Sequence, residues 1–405
     1  MRFFNYQLKF NTPAFLGDAE QNGRWRTPPI KALLRQWWRV AYAADHNFRA
    51  DVAAMRQEEG LLFGHAWLEN DIFERNGRQV TTAARKSAVR IRLDKWDEGQ
   101  SQKNQWPRFA TVSHPEVPKP VASDLYLGYG PVTLPRGASP TLKANTAIQA
   151  DEKATLSLAV PTTHKDTELK RLLEDNVPRI ERALWLMDRY GTLGGRSRNG
   201  WGSFALLPLP PGESRGEGDS EVRRLPLRDW KDCLNLDWPH AIGQDAKGPL
   251  IWQTAPHDDW KVLMKTLAVI KIGLRTQFVF PNVAPPHAGI EPRHWLSYPI
   301  TKHTTRAWDR GARLPNSLRF KVRPVPDSGL VGVIFHVPHL PPAAFNPHPN
   351  RAVIERTWEQ VHGLLDHLKH GSPRTYPMIP EVAPVNRRSA LKPQLDTVTL
   401  TRILE

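Results

Sequence analysis

Two kinds of periodicity alternate along this chain, and their order recurs once. Phe4, Tyr6, Leu8 and Phe10 alternate with Asn5, Gln7 and Lys9, the period of two expected of a half-buried strand. After the turn-forming Thr12-Pro13 and Gly17, Pro28 and Pro29 mark a helix start, because a missing amide hydrogen costs nothing there. Ile30, Leu33, Leu34, Trp37, Trp38 and Ala41 then share one helical face up to about residue 44. Period-two strands follow at 89–93 and 155–160, separated by an insertion rich in Pro and Gly. Residues 166–190 read as a helix, bent or divided at Pro178, and 201–206 as a last strand. The order β-α-β-β-α-β predicts the split βαβ unit, in which two helices cover one face of an antiparallel sheet. Its other face is left open, a common platform for RNA.

Residues 208–224 gather Pro, Gly, Ser, Glu and Arg without periodicity, as expected of a linker. Beyond them the same order returns: strand 249–254, helix 258–274, strands 318–323 and 330–337, helix 351–370, strand 397–402. The predicted fold class is α+β, with two ferredoxin-like (RRM-like, βαββαβ) domains in tandem and loop insertions. The first spans 1–207 and ends in a glycine-rich loop and strand; the linker is 208–224; the second spans 225–405. No short sequence repeat links the two halves.

Charge narrows the range of partners. The 405 residues carry 56 Lys and Arg against 41 Asp and Glu, a net charge of +15, which favours a polyanion. Fifteen Trp, 14 Phe and 7 Tyr would suit a surface where bases stack on aromatic rings. A soluble protein from a basic proteome has the same composition. Cys233 is the only cysteine, so an internal disulfide and a paired-thiolate zinc site are excluded, and the expected compartment is the cytoplasm. The apolar run 262–274 is broken by Lys265 and Lys271, too short for a membrane span. The first ten residues lack the pattern of an export signal.

Three basic features bear on nucleic acid. Lys31, Arg35 and Arg39 are spaced by four, so they line one side of the first helix with Tyr42, opposite the apolar residues. No acid interrupts that row before Asp45, and such a row can follow a phosphate backbone; the alternative is a solvated basic face. The segment Gly191-Thr-Leu-Gly194-Gly195-Arg196-Ser197-Arg198-Asn199-Gly200-Trp201-Gly202 has five glycines and two arginines in twelve residues. Its spacing and its helix-to-strand position exclude a dinucleotide loop. It suits either an anion loop, with Arg196 and Arg198 as charged donors, or a tight turn needing positive φ. Between 293 and 323 lie Arg293, Lys302, Arg306, Arg310, Arg313, Arg319, Lys321 and Arg323 against the single acid Asp309. Trp295, Tyr298, Trp308 and Phe320 are interleaved there, as in a single-strand groove. Arg319, Lys321 and Arg323 also fit the wet face of a strand whose Leu318, Phe320 and Val322 pack inward.

Catalytic signals are thin. His367 and His370, with Asp366 nearby, lack a third positioned metal ligand. His46 lies just beyond the cationic helix, where a general base would serve RNA cleavage, but no acid partner is evident. Asp18, in the loop after the first strand, is the other candidate. No cofactor, metal site or enzymatic activity is expected.

Read together, Thr12-Pro13-Ala-Phe-Leu-Gly17, Arg26-Thr-Pro-Pro-Ile-Lys31-Ala-Leu-Leu-Arg35-Gln-Trp37-Trp38-Arg39, Leu62-Phe63-Gly64, Tyr126-Leu-Gly-Tyr-Gly130 and the 191–202 loop resemble RAMP proteins of type III CRISPR systems. The combination is closest to the Cmr-one family of type III-B (Cmr) complexes. Ala32 stands where these helices often carry Gly, and the second half, similar through Tyr298-Pro299 and 318–337, has no matching glycine-rich loop. The resemblance implies two RAMP domains and a non-catalytic RNA-binding subunit. Its partners would be CRISPR RNA, target RNA and other RAMP subunits, with no membrane. It would hold the 3′ region of the CRISPR RNA and help capture the target for antiviral defence. In such a subunit the loop bearing Asp18 is not catalytic. The expected RNA contacts are Lys31, Arg35, Arg39, Gly194, Gly195, Arg196, Ser197, Arg198, Arg306, Arg310 and Arg313. Two other functions remain. One is a CRISPR RNA-processing endoribonuclease, which also has two ferredoxin-like domains but generally carries its glycine-rich loop near the C-terminus. The other is a purely structural assembly subunit whose cations face acidic neighbours.

Overall fold

The computed structural model describes residues 1–49, 51–75, 78–117, 119–164, 167–209, 223–281, 283–309, 311–342, 345, 349–369 and 391–403. The alternating start of the chain forms β1 (Arg2–Phe10), with Phe4, Leu8 and Phe10 buried and Phe3 54% exposed on the opposite face. Helix α1 (Thr27–Asp45) begins on Pro28 and Pro29, where the first amides have no carbonyl to reach. Before the next predicted strand come elements that the periodicity did not indicate: α2 (Val52–Phe63), capped by the Asp51 carboxylate on the Ala53 amide at 2.8 Å, and the antiparallel pair β2 (His65–Arg75) and β3 (Arg78–Arg85). Then come β4 (Arg90–Leu93), α3 (Ser123–Gly128), β5 (Lys153–Val160), α4 (Thr167–Tyr190) and β6 (Phe204–Pro208). Strands β6, β1, β5 and β4 form one antiparallel sheet in that order.

Helix α4 runs unbroken through Pro178, where a bend or division was expected. Its neighbourhood is clamped from outside: Trp38 Nε1 donates to Asn176 Oδ1 at 2.9 Å, and Asn176 Nδ2 donates to Glu58 at 2.8 Å. Such contacts offset the one helical bond that proline removes.

The second half contributes β7 (Ile251–Thr254), α5 (Trp260–Thr276), α6 (Pro292–Leu296), β8 (Leu318–Val325), β9 (Gly329–His336), α7 (Arg351–His367) and β10 (Leu400–Arg402). Strands β8, β9, β7 and β10 form a second antiparallel sheet in that order. Residue 370, at the expected helix end, and most of the expected linker, 210–222, lie outside the described residues. The molecule is thus a mixed α/β structure built on antiparallel sheets. No helix among the described residues is long and apolar enough to cross a membrane.

The second sheet has no open face. Phe320, Val322 and Ile334 share a core with α5 and α7, while Val331, Val333 and Phe335 share the other core with β1, α1 and α4. Phe335 lies between Trp37 and Tyr190, with ring centroids 6.4 and 5.0 Å away. Burying one such side chain is worth roughly 2 kcal/mol, and an exposed platform would forfeit it. Arg319, Lys321 and Arg323 lie on this same face, paired with Phe335, Val333 and Val331, so the expected wet strand face is an internal seam. Lys321 is fully buried, its Nζ donating to the carbonyls of Met187, at 3.1 Å, and Asp188 at the end of α4.

Candidate nucleic-acid interface

The cationic row on α1 is present, but it is not free of acid. Arg35 Nε donates to Glu59 Oε1 at 2.6 Å, and Arg39 reaches both oxygens of the same carboxylate at 2.8 and 2.9 Å. Glu59, on α2, is only 4% exposed, and three charge-assisted bonds from the two arginines hold it there. Lys31 makes no ion pair among the described residues, and partial burial, then the Arg35 charge, lowers its pKa. The row therefore presents three cations against one carboxylate. Tyr42 is buried, stacked on His46 at 4.1 Å and lying under Arg179 at 4.9 Å.

The glycine-rich loop lies where the two halves meet. Gly194, Gly200 and Gly202 have φ of 90°, 90° and 63°, and Arg196 itself has φ of 55°, so the turn requirement is real. The backbone is largely committed: the amides of Gly195, Gly200 and Gly202 donate to Phe15, Ser197 and Pro13 carbonyls at 2.9, 3.1 and 2.8 Å. Gly195 does not have positive φ, and its amide is the one taken by the Phe15 carbonyl. Arg198 is built into the seam. Its carbonyl accepts the Phe320 amide at 3.0 Å and its guanidinium donates to the Asn316 carbonyl at 3.1 Å. Arg196, beside Ser197, is exposed at the loop's rim, while Gly194 would place a Cβ 2.6 Å from the Phe15 carbonyl oxygen.

The basic stretch 293–323 divides differently from expectation. Trp295, Tyr298, Trp308 and Phe320 are all buried, with Trp308 edge-on to Tyr298 and Trp295 at 4.8 and 5.2 Å. These rings build the core and are not stacking surfaces. Arg293 is buried against Glu116. Arg306 and Arg313 are exposed, Arg313 donating to the Ala312 carbonyl at 2.8 Å; Arg310 lies outside the described residues. Arg319 is pushed down to about 9 by burial and by Arg198, which leaves it charged at neutral pH.

The catalytic candidates are held in structural roles. Asp18 accepts the Asn22 amide at 2.8 Å and Arg24 Nε at 3.0 Å. Desolvation acts to raise its pKa, but these two bonds outweigh it and hold the carboxyl below its ordinary value. His46 Nδ1 meets the Tyr42 carbonyl oxygen at 2.8 Å. Asp366, beside His367, accepts from Lys247 and Trp252 at 2.8 and 2.9 Å, and no group of three metal-ligating side chains occurs among the described residues.

Two further cations lie on α5, one of them bonded to the loop. Lys271 on α5 donates from Nζ to Asn199 Oδ1, and Arg275, one turn on, donates to Ser297 Oγ at 2.8 Å. Their four-residue spacing is readable in the sequence. Lys271, as a break in an apolar run, excluded a membrane span but did not by itself point to the loop.

Over residues 7–205 the chain matches the family model described as the RAMP superfamily. Among solved structures it is similar to Cmr1 from Pyrococcus furiosus in its apo form, at 14% identity and a TM-score of 0.39 over 88% of this chain and 97% of that one. A type III-B Cmr-beta complex bound to cognate target RNA also contains a similar chain, at 12% identity and a TM-score of 0.42 over 89% of this chain and 99% of that one. No curated relative matches.

Proposed function

We propose that this chain is a non-catalytic RNA-binding subunit of a type III-B CRISPR ribonucleoprotein, holding the 3′ region of the CRISPR RNA and helping to capture target RNA beside other RAMP subunits. The observation that carries this reading is the RAMP-superfamily match of residues 7–205, within which fall both the cationic helix and the glycine-rich loop. The excess of basic residues supports an RNA partner. Strand order supports two ferredoxin-like domains: in each sheet the first and third strands of the half are central, with the fourth beside the first and the second beside the third. The proposed boundaries are 1–207 and 225–405, joined by 208–224. Nuclease action is assigned to other subunits, since Asp18 and His46 are engaged as above and neither has a catalytic partner among the described residues.

Co-purification from the native host tests the reading. Short CRISPR RNAs and other RAMP subunits should accompany the chain, and their absence would refute it. Assembled complexes carrying His46→Ala or Asp18→Ala should still cleave target RNA. Cleavage of repeat RNA by the purified chain in EDTA would instead identify a processing enzyme.

A further inference from the structure

Behind the rim of the glycine-rich loop, cations gather with little to neutralise them. Lys271 and Arg275 lie on consecutive turns of α5, both partly buried, and among the described residues their side chains have only the neutral oxygens of Asn199 and Ser297 as hydrogen-bond partners. Asn199 is itself fixed, its Nδ2 donating to the Leu127 carbonyl at 2.6 Å. Arg196 joins the group from the loop, its guanidinium reaching within 3.5 Å of the Cβ position at Gly130. Burial and the charges of Arg275 and Arg196 act together to lower the Lys271 pKa well below its ordinary value. Of the nearby carboxylates, Glu116 is taken by Arg293 and Asp124 accepts from Trp106 Nε1 at 2.8 Å. Beside them the Tyr126 hydroxyl is buried without a partner among the described residues, and burial raises its pKa, so it remains a donor.

Like charges are rarely packed together around an unsatisfied donor unless an anion completes the set. We infer that Arg196, Lys271, Arg275 and the Tyr126 hydroxyl form a phosphate-binding subsite at the seam between the glycine-rich loop and helix α5, and that it takes a backbone phosphate of RNA. The inference rests on the RNA-binding reading and extends it to the second half of the chain. Two cations, an uncommitted hydroxyl and the exposed Arg196 fit the oxygens of a phosphodiester, which accepts from several donors at once.

The test uses the full chain with two probes. Inorganic phosphate, compared with chloride at equal ionic strength, should raise the melting temperature of the wild type but not of Lys271→Gln or Arg275→Gln. Single-stranded RNA should bind each variant roughly 3- to 10-fold more weakly, with a salt slope lower by about 0.7. Lys271→Arg should restore both effects, which separates lost binding from lost folding. Phosphate protection of the wild type without RNA binding would keep the subsite, assign it to free phosphate and refute the RNA reading instead. Equal protection of wild type and variants, or none for either, with unchanged RNA affinity, would overturn the proposal.

Discussion

Lys321 donates from Nζ to the carbonyl oxygen of Met187 at 3.1 Å, tying strand β8 of the second half to the end of helix α4 in the first. A lysine here meets carbonyls of the helix's last turn, that of Met187 also accepting the Gly191 amide at 2.8 Å, and its charge complements the negative end of the helix dipole. The Phe204 ring, 4.7 Å from the ammonium, closes the site. The contact turns an expected solvent face into an internal joint and has a consequence for pH.

Burial pushes Lys321 down from 10.5 to about 7. The unfolded chain therefore binds more protons than the folded chain between those values, and stability should rise with pH across that window. Relative to Lys321→Met, wild type should gain roughly 1 kcal/mol per pH unit between about pH 7 and 10, read from urea midpoints. Parallel pH profiles would show that the joint holds a permanently charged lysine.

Acid should act in the same sense through histidine. Burial lowers His114, His240, His294 and His339 to about 4 and His362 to about 3. Each stays neutral in the fold while its unfolded counterpart protonates, so stability is complete above the ordinary value of 6.5 and is lost as pH falls towards 4. His362→Phe should reduce this loss by roughly 1 kcal/mol per pH unit, measured as the difference in urea midpoint between about pH 7 and 5.

Glycines with positive φ should differ in cost according to what surrounds them. A Cβ at Gly202 would stand 1.8 Å from the Leu193 carbonyl oxygen, whereas one at Gly137, also at positive φ, would meet nothing within 4 Å. Gly202→Ala should cost roughly 3 kcal/mol or more, and Gly137→Ala about 1 kcal/mol. Similar losses in thermal denaturation would show that backbone strain, not crowding, sets the cost.

RNA binding should report the pairing of Glu59. Lys31→Ala should lower the salt slope for single-stranded RNA by about 0.7, whereas Arg35→Ala and Arg39→Ala should each lower it less, because their guanidiniums share a carboxylate. Glu59→Gln should steepen the slope while destabilising the fold by roughly 1 to 3 kcal/mol. A slope insensitive to all four changes would remove α1 from the RNA path.

Local periodicity made much of this architecture readable. Phe4, Leu8 and Phe10, and the Ile30 to Ala41 face, repeat at intervals that only one backbone geometry can bury. Helix α2 was harder to see, since its Glu58 and Glu59 look like solvated charge until Asn176, Arg179, Arg35 and Arg39 are brought to them. Interleaved Trp295 and Trp308 gave the composition of a stacking groove, and nothing local distinguishes a ring that faces a base from one that faces another ring.

The amino-acid sequence by itself determined the order of helices and strands, the excess of basic charge and the RAMP-like motifs, because each depends on residue type and short-range spacing. Tertiary structure alone decided which cations are neutralised, which aromatics are buried, and that Lys271 reaches a loop some seventy residues away. The reason is physical: charge pairing and burial depend on distances between segments far apart in the chain, and those distances exist only once both cores have closed.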